Sequence, residues 1–350
     1  MIRFNSDYLE GAHPRVMQRL LETNLEQTPG YGEDDYCEQA RATIRRLCDA
    51  PDANVQFLVG GTQANATVLT AALRPWQGVI SAETGHIAVH ESGAIEARGH
   101  KVIALAGSDG KLRAGQVDEV CRLHHSDESH EHMVMPGAVY ISNPTEVGTL
   151  YSRDELSELQ QVCDRWKLLL FLDGARLGYG LASPENTLDL PFLAATCDVF
   201  TIGGTKQGLL FGEAVVIRPN ALGPSFRYLI KQMGGMMAKG RLLGVQFQEI
   251  LRDGLYMELS AHAIAQAMRL KAALKGLNVP FLVDSPTNQQ FPILSNAVLK
   301  RLCEGYSWAT IERVDDRHTA VRFCTSWATV PRDVDSLIDD LTNALEQEEA

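Results

Sequence analysis

Between residues 55 and 218 the chain alternates short, almost unbroken apolar runs with longer amphipathic stretches, and few folds accept that order. The runs are VQFLV at 55–59, VISA at 79–82, VIAL at 102–105, AVYIS at 138–142, LLLFLD at 168–173, DVFTIG at 198–203 and EAVVIR at 213–218. A strand that is apolar at every position is buried on both faces, and strands separated by helix-length segments pair in parallel beneath covering helices. Helices are expected from Asn65 to Leu73, over GAIEARG at 93–99, and from Asp154 to Trp166. The pattern predicts an α/β fold whose central sheet is mostly parallel and flanked by helices.

The flanks read differently. Up to about residue 50 the chain is polar and helical with breaks: Pro14 suits the first turn of a helix carrying Val16, Leu20 and Leu21, TPGYGED at 28–34 is a turn, and a second helix runs from Tyr36 to Leu47. Beyond about residue 225 come long helices (Gly244 to Leu251, Met257 to Leu277), short strands near FLVD at 281–284 and AVRFCT at 320–325, and a closing helix from Val334 to Leu345. The expected division is an N-terminal helical segment 1–50, a large α/β domain 51–240 and a smaller C-terminal α+β domain 241–350.

Charge and composition narrow the partners. A net charge of −12 without a basic patch disfavours nucleic acid and anionic membranes, and no stretch approaches the roughly 18 apolar residues of a membrane span. MIRFNSDYLEGAHP lacks the layout of a secretory signal, so a cytoplasmic location is expected. The 7 cysteines are scattered without a Cys-x-x-Cys pair, which reads as free, mostly buried thiols and not as a disulfide framework or a zinc site. LHHSDESHEH at 123–132 is expected to be a solvated loop, since a flexible polar run seldom fixes metal-ligand geometry; no metal is expected.

Four stretches carry chemistry. In LLLFLDGARLGYG, Asp173 stands at the carboxyl end of a buried strand, where open α/β sheets bind ligands; the plainer reading is a turn cap, with Arg176 its counter-ion. In TIGGTKQGLLFGEAVVI, glycines leave room beside Lys206, and partial burial of a lysine lowers its pKa toward Schiff-base chemistry; a loop lysine is otherwise simply solvated. In FLVGGTQANATVL, a strand, two glycines, Thr62 and a helix start form an anion cradle or, more simply, a capped turn. In ETGHIAVHESGAIEA, His86 follows a strand end, and His90 is ambiguous.

In order these are a phosphate cradle, a histidine, a strand-end acid and a glycine-flanked lysine. Here the chain resembles the threonine aldolase and β-eliminating lyase family of fold-type I pyridoxal-phosphate enzymes, whose fold is aspartate-aminotransferase-like. The resemblance rests on FNSD at 4–7, YGEDD at 31–35, GGTQAN at 60–65, GHI and HESGA within 85–94, DGK at 109–111, DGARL at 173–177, TKQG at 205–208, GGMMAKG at 234–240 and VRFCTSW at 321–327. It implies pyridoxal 5'-phosphate as cofactor, bound covalently by Lys206, with Asp173 holding the ring nitrogen protonated, His86 stacking on the ring and Arg176 on the ring-hydroxyl side. It further implies Gly61, Thr62 and Thr205 at the phosphate, Ser6, Arg176 and Arg322 at the substrate carboxylate, and His86 as base.

The implied reaction is cleavage of β-hydroxy-α-amino acids, L-threonine or L-allo-threonine, to glycine and an aldehyde. β-Elimination or transamination of another amino acid is the alternative, and a non-catalytic binding protein is argued against by the Asp173 and Lys206 pair. The family implies a homodimer or homotetramer with its site at a subunit interface, Lys239 or Arg241 reaching a neighbour's phosphate. One departure stands out: SNPTEVGTLY at 142–151 replaces the family's Glu-Asn-Thr-His stretch, leaving Glu146 in the place of the histidine.

Overall fold

The computed structural model describes residues 1–107 and 109–349. Its strands are β1 (Ile2–Arg3), β2 (Asn54–Leu58), β3 (Gln77–Ala82), β4 (Val102–Leu105), β5 (Met135–Ser142), β6 (Leu169–Asp173), β7 (Val199–Gly203), β8 (Glu213–Ile217), β9 (Phe281–Val283), β10 (Gln289–Ser295), β11 (Tyr306–Ser307), β12 (Ala309–Arg313) and β13 (His318–Cys324). Seven of them form the central sheet in the order β2-β8-β7-β6-β5-β3-β4. β8 alone runs antiparallel to both its neighbours, because a loop and not a helix joins it to β7. The rest is the mostly parallel, helix-flanked sheet that the apolar runs predict; β6, β7 and β8 are buried along nearly their whole length.

Local chemistry explains where helices start and stop. Asp34 caps Asp35–Leu47 by accepting from the Cys37 amide at 2.9 Å, and Ser152 with Glu155 closes a capping box on Arg153–Trp166. The helix after β2 starts at Gly61, four residues before the expected Asn65, and ends at Ala72. The helix expected over 93–99 is not there. Ser92 (φ 53°) and Gly93 (φ 70°) both take the left-handed conformation, which breaks any helix, so only one α-helical turn (His86–Val89) and one 3-10 turn (Glu96–Arg98) form. The histidine-rich stretch is likewise not a loop throughout: His124 and His125 end the helix Ala114–Ser126, and His125 stacks on Trp166.

The second sheet, β12-β13-β10-β9, is antiparallel and packs with the helices Leu255–Gly276 and Pro331–Glu349 around Leu270, Leu274, Phe323 and Leu337. Strands β10, β11 and β12 are additions to the sequence reading. The N-terminus joins this unit: β1 pairs in parallel with β11, and Phe4 is buried in the same core. That pairing carries residues 5–7 to the edge of the central sheet. All seven cysteines are free and only Cys303 is exposed. No helix among the described residues is long and apolar enough to cross a membrane.

Candidate active site

The carboxyl ends of β2, β5, β6 and β7 open onto a cavity of ≈ 230 Å³. Two close approaches bring its walls together. A Cβ on Gly174 would lie 1.9 Å from the Thr201 carbonyl oxygen, and one on Gly203 would lie 2.5 Å from that of Ala175. Only glycine lets the turns after β6 and β7 meet, and so Asp173, Arg176, Thr205 and Lys206 share one wall.

Three donors converge on Asp173: Asn65 Nδ2 at 2.9 Å and the Tyr140 hydroxyl at 2.7 Å to Oδ2, and the Ala175 amide at 2.9 Å to Oδ1. Asn65 also donates to Glu91 at 2.7 Å, and Glu91 Oε1 lies 2.7 Å from His86 Nδ1. A continuous buried network thus runs from His86 through Glu91 and Asn65 to Asp173 and Tyr140. Its hydrogen bond to Glu91 raises the His86 pKa above the ordinary histidine value. Burial, followed by the Asp173 charge, keeps the Tyr140 phenol protonated.

Lys206 is half-buried, and no hydrogen bond or ion pair of its ammonium is found among the described residues. Burial, with the nearby Arg176 charge, lowers its pKa below the usual lysine value. On the opposite wall the helix Gly61–Ala72 begins at Gly60 with no side-chain cap, so its first-turn amides face the cavity unpaired. A Cβ on Gly60 or Gly61 would meet nothing within 4 Å, so both face open space. Glu146 accepts from the Ser142 hydroxyl at 2.7 Å and the His86 amide at 3.0 Å, and burial raises its pKa.

Arg176 makes a bidentate ion pair with Asp7, at 2.7 and 3.0 Å, and Asn288 donates to Asp7 at 3.0 Å. Burial opposes the Asp7 charge, but the Arg176 guanidinium and Lys206 outweigh it and hold the carboxyl at about 2. Arg322 does not reach the acids of its own hairpin. It donates to Gln289 Oε1 and the Asn5 carbonyl, both at 3.1 Å, and its Nε is buried without a partner. The Ser6 hydroxyl is also buried and unpartnered.

Eight of the residues singled out in the sequence therefore line one cavity: Gly61, Thr62, His86, Glu146, Asp173, Arg176, Thr205 and Lys206. Ser6 and Arg322 lie outside this lining. Lys239 is exposed and lines a separate depression with Glu26, Thr28 and Arg241. Arg241 is tied to the Thr23 and Glu26 carbonyls. Asn65 and Glu91 lie inside stretches already quoted, GGTQAN and HESGA, but their roles emerge only from the network. Asp7 ends the FNSD stretch but takes its role only from the contact with Arg176, while Tyr140, Asn288 and Glu213 carry no local signal beyond position.

The family model described as "Beta-eliminating lyase" matches residues 3–297. The chain is 31% identical over 344 residues to a low specificity L-threonine aldolase of Pseudomonas sp. (strain NCIMB 10558), covering 97% of this chain and 96% of that one. It is likewise 31% identical over 351 residues to a low specificity L-threonine aldolase of Pseudomonas aeruginosa, with the same coverage. A solved structure of a threonine aldolase from Leishmania major superposes with a TM-score of 0.96 at 43% identity, covering 99% of this chain and all of that one (100%). An aspartate aminotransferase of Thermus thermophilus, at 13% identity and a TM-score of 0.69, shares the fold. The chain belongs to the beta-eliminating lyase family.

Proposed function

We propose that the chain is a pyridoxal-phosphate-dependent lyase that cleaves L-threonine and L-allo-threonine between Cα and Cβ, giving glycine and an aldehyde. The observation that carries this reading is one cavity holding a half-buried, unpaired Lys206, a carboxyl braced by three donors and an uncapped helix N-terminus. These residues fit the cofactor: Lys206 would bind it covalently, Asp173 would face its ring nitrogen, His86 its ring, and Gly61, Thr62 and Thr205 its phosphate. When bound, it supplies the electron sink for the bond that breaks.

The protein's own groups do the rest. Ser6 and Arg322 have unspent donors near Asn5 and bind the substrate carboxylate, while Arg176, fixed by Asp7, adds charge on the same side. Anchoring the carboxylate orients the scissile bond, which is worth as much as a base. His86, its Nδ1 held by Glu91, presents Nε2 to the β-hydroxyl proton; Glu146 sits against its backbone amide. Leu20 and the exposed Leu242 line the depression of Lys239, and a second copy of the chain seated there makes a homo-oligomer that turns Lys239 toward a neighbour's cradle.

Product analysis tests the reading: purified protein with L-threonine and with L-allo-threonine should yield glycine and acetaldehyde. Pyruvate and ammonia from a serine-like substrate, with no aldehyde, would replace it by β-elimination. Two variants follow. Asp173→Asn puts an amide donor against Asn65 and Tyr140 or against the Ala175 amide, whichever way it flips. Turnover should fall by at least about tenfold, with a stability cost of about 1–3 kcal/mol in urea unfolding; unchanged turnover would leave Asp173 a cap. Arg322→Lys keeps the charge but loses the fork, so the KM for L-threonine should rise by the equivalent of about 2–5 kcal/mol while cofactor absorbance persists. A normal KM would retire the carboxylate role.

A further inference from the structure

Glu213 lines the cavity, yet the reading above gives it no task. It opens β8, where its register partners are Leu58 at the end of β2 and Gly203 at the end of β7. Those two strands lead directly into Gly60–Thr62 and into Thr205–Lys206, so Glu213 lies beneath both arms of the anion cradle. It is 3% exposed, and its Oε2 is sealed from solvent without a hydrogen-bond partner among the described residues.

The groups around Glu213 decide its charge. Lys206, Asp173 and the Thr205 hydroxyl face it from the β6 and β7 side, and the Tyr256 phenol from the helix Leu255–Gly276. Tyr256 is already committed, donating to the Gly203 carbonyl at 3.0 Å; from β2 the register neighbour is the apolar Leu58. Of the cavity's basic groups within this chain, Arg176 is bound to Asp7, His86 to Glu91, and Lys206 is reserved for the cofactor's carbonyl carbon. A phosphate on the cradle would therefore add a second anion beside an ionised Glu213, a cost that protonation of the carboxyl removes.

We propose that Glu213 is held as the neutral acid and donates a hydrogen bond to the cofactor's phosphate from beneath the cradle. Burial raises the proton affinity of this carboxyl well above the ordinary range; Lys206 opposes that and Asp173 adds to it. The inference rests on the functional reading for the cofactor, but the phosphate contact can be tested apart from it.

The experiment uses apoprotein of the wild type, Glu213→Gln and Glu213→Ala, with binding of inorganic phosphate, pyridoxal phosphate and pyridoxal measured by calorimetry from mildly acidic to mildly alkaline pH. Phosphate's own titration is common to all three proteins and cancels in the ratios. The affinity of the wild type relative to Gln for both phosphate ligands should fall as pH rises, because only the wild type loses its donor. Ala should bind them roughly tenfold more weakly than Gln throughout, and pyridoxal should respond to neither change. Gln tighter than wild type by the same factor at every pH would make Glu213 an ordinary carboxylate, and equal affinities for all three proteins would take it away from the phosphate; either overturns the proposal. Phosphate bound as expected with pyridoxal phosphate ignored would sink the functional reading alone, and neither ligand bound by the wild type would sink both.

Thermal unfolding of the apoproteins gives a second readout. A carboxyl whose folded pKa is raised costs stability as pH climbs above its unfolded value, so Gln should melt above the wild type in alkali and the gap should close in acid. Coincident melting at all pH values would show an ordinary carboxylate and overturn the proposal.

Discussion

Lys206→Ala should abolish covalent cofactor attachment and lower turnover by on the order of 10⁴ or more, the scale found when a nucleophile is removed from a site whose other parts remain. Lys206 is the cavity's one amine, and its position is set by backbone and not by side-chain partners. The Tyr179 hydroxyl donates to the Lys206 carbonyl and accepts from the Trp327 amide, which clamps the chain while leaving the ammonium unpaired. Deleting the side chain breaks no direct ion pair, and Asp7 keeps its contact with Arg176, so the apoprotein should stay folded with little change in thermal stability. Borohydride reduction followed by peptide mass spectrometry should find the cofactor on Lys206 in the wild type and nowhere in the variant. Retained turnover, or a label on another lysine, would remove Lys206 from the chemistry.

Asp173, Lys206 and Thr62 were visible in the sequence for one physical reason: each ends a buried apolar strand or follows one by a few residues, and in a parallel sheet those strand ends converge. What the sequence hid is set by tertiary pairing. Asp7 and Arg176 are 169 positions apart, and their contact depends on β1 joining β11, a two-residue pairing with no periodic signature. Glu91 and Asn65 were quoted within recognisable stretches, yet their link between His86 and Asp173 needs the helix Gly61–Ala72 to lie across β6. The failed helix over 93–99 has a local cause that propensity does not report: an apolar, alanine-containing stretch was overruled by two consecutive left-handed residues, Ser92 and Gly93.

The Asp7–Arg176 pair makes the second large prediction. Both side chains are removed from water, at 0% and 14% exposure, and the guanidinium has Asp7 as its carboxylate partner. Asp7→Asn keeps the size but leaves Arg176 buried without a counter-charge, and the new amide points a donor at a donor. Breaking one side of such a pair costs about 3–5 kcal/mol, so the variant should unfold at much lower urea than the wild type at neutral pH. The pH dependence fixes the sign. Asp7 is held at about 2 against an ordinary 3.8, so the folded state favours its carboxylate; that stabilisation is complete above the ordinary value and is lost as pH falls through about 2. At 1.36 kcal/mol per unit this is about 2 kcal/mol, smaller than the truncation cost because the protonated acid still accepts from Arg176 and Asn288, whereas asparagine turns a donor on them. The urea midpoints of wild type and Asp7→Asn should therefore approach each other as the buffer is taken from neutrality into strong acid. The variant should also raise the KM for L-threonine more than it lowers kcat, since Asp7 touches Arg176 and not the reacting bond. A midpoint gap that is absent at neutral pH, or one that does not narrow in acid, would mean that Arg176 is braced by other contacts and that Asp7 is not its counter-ion.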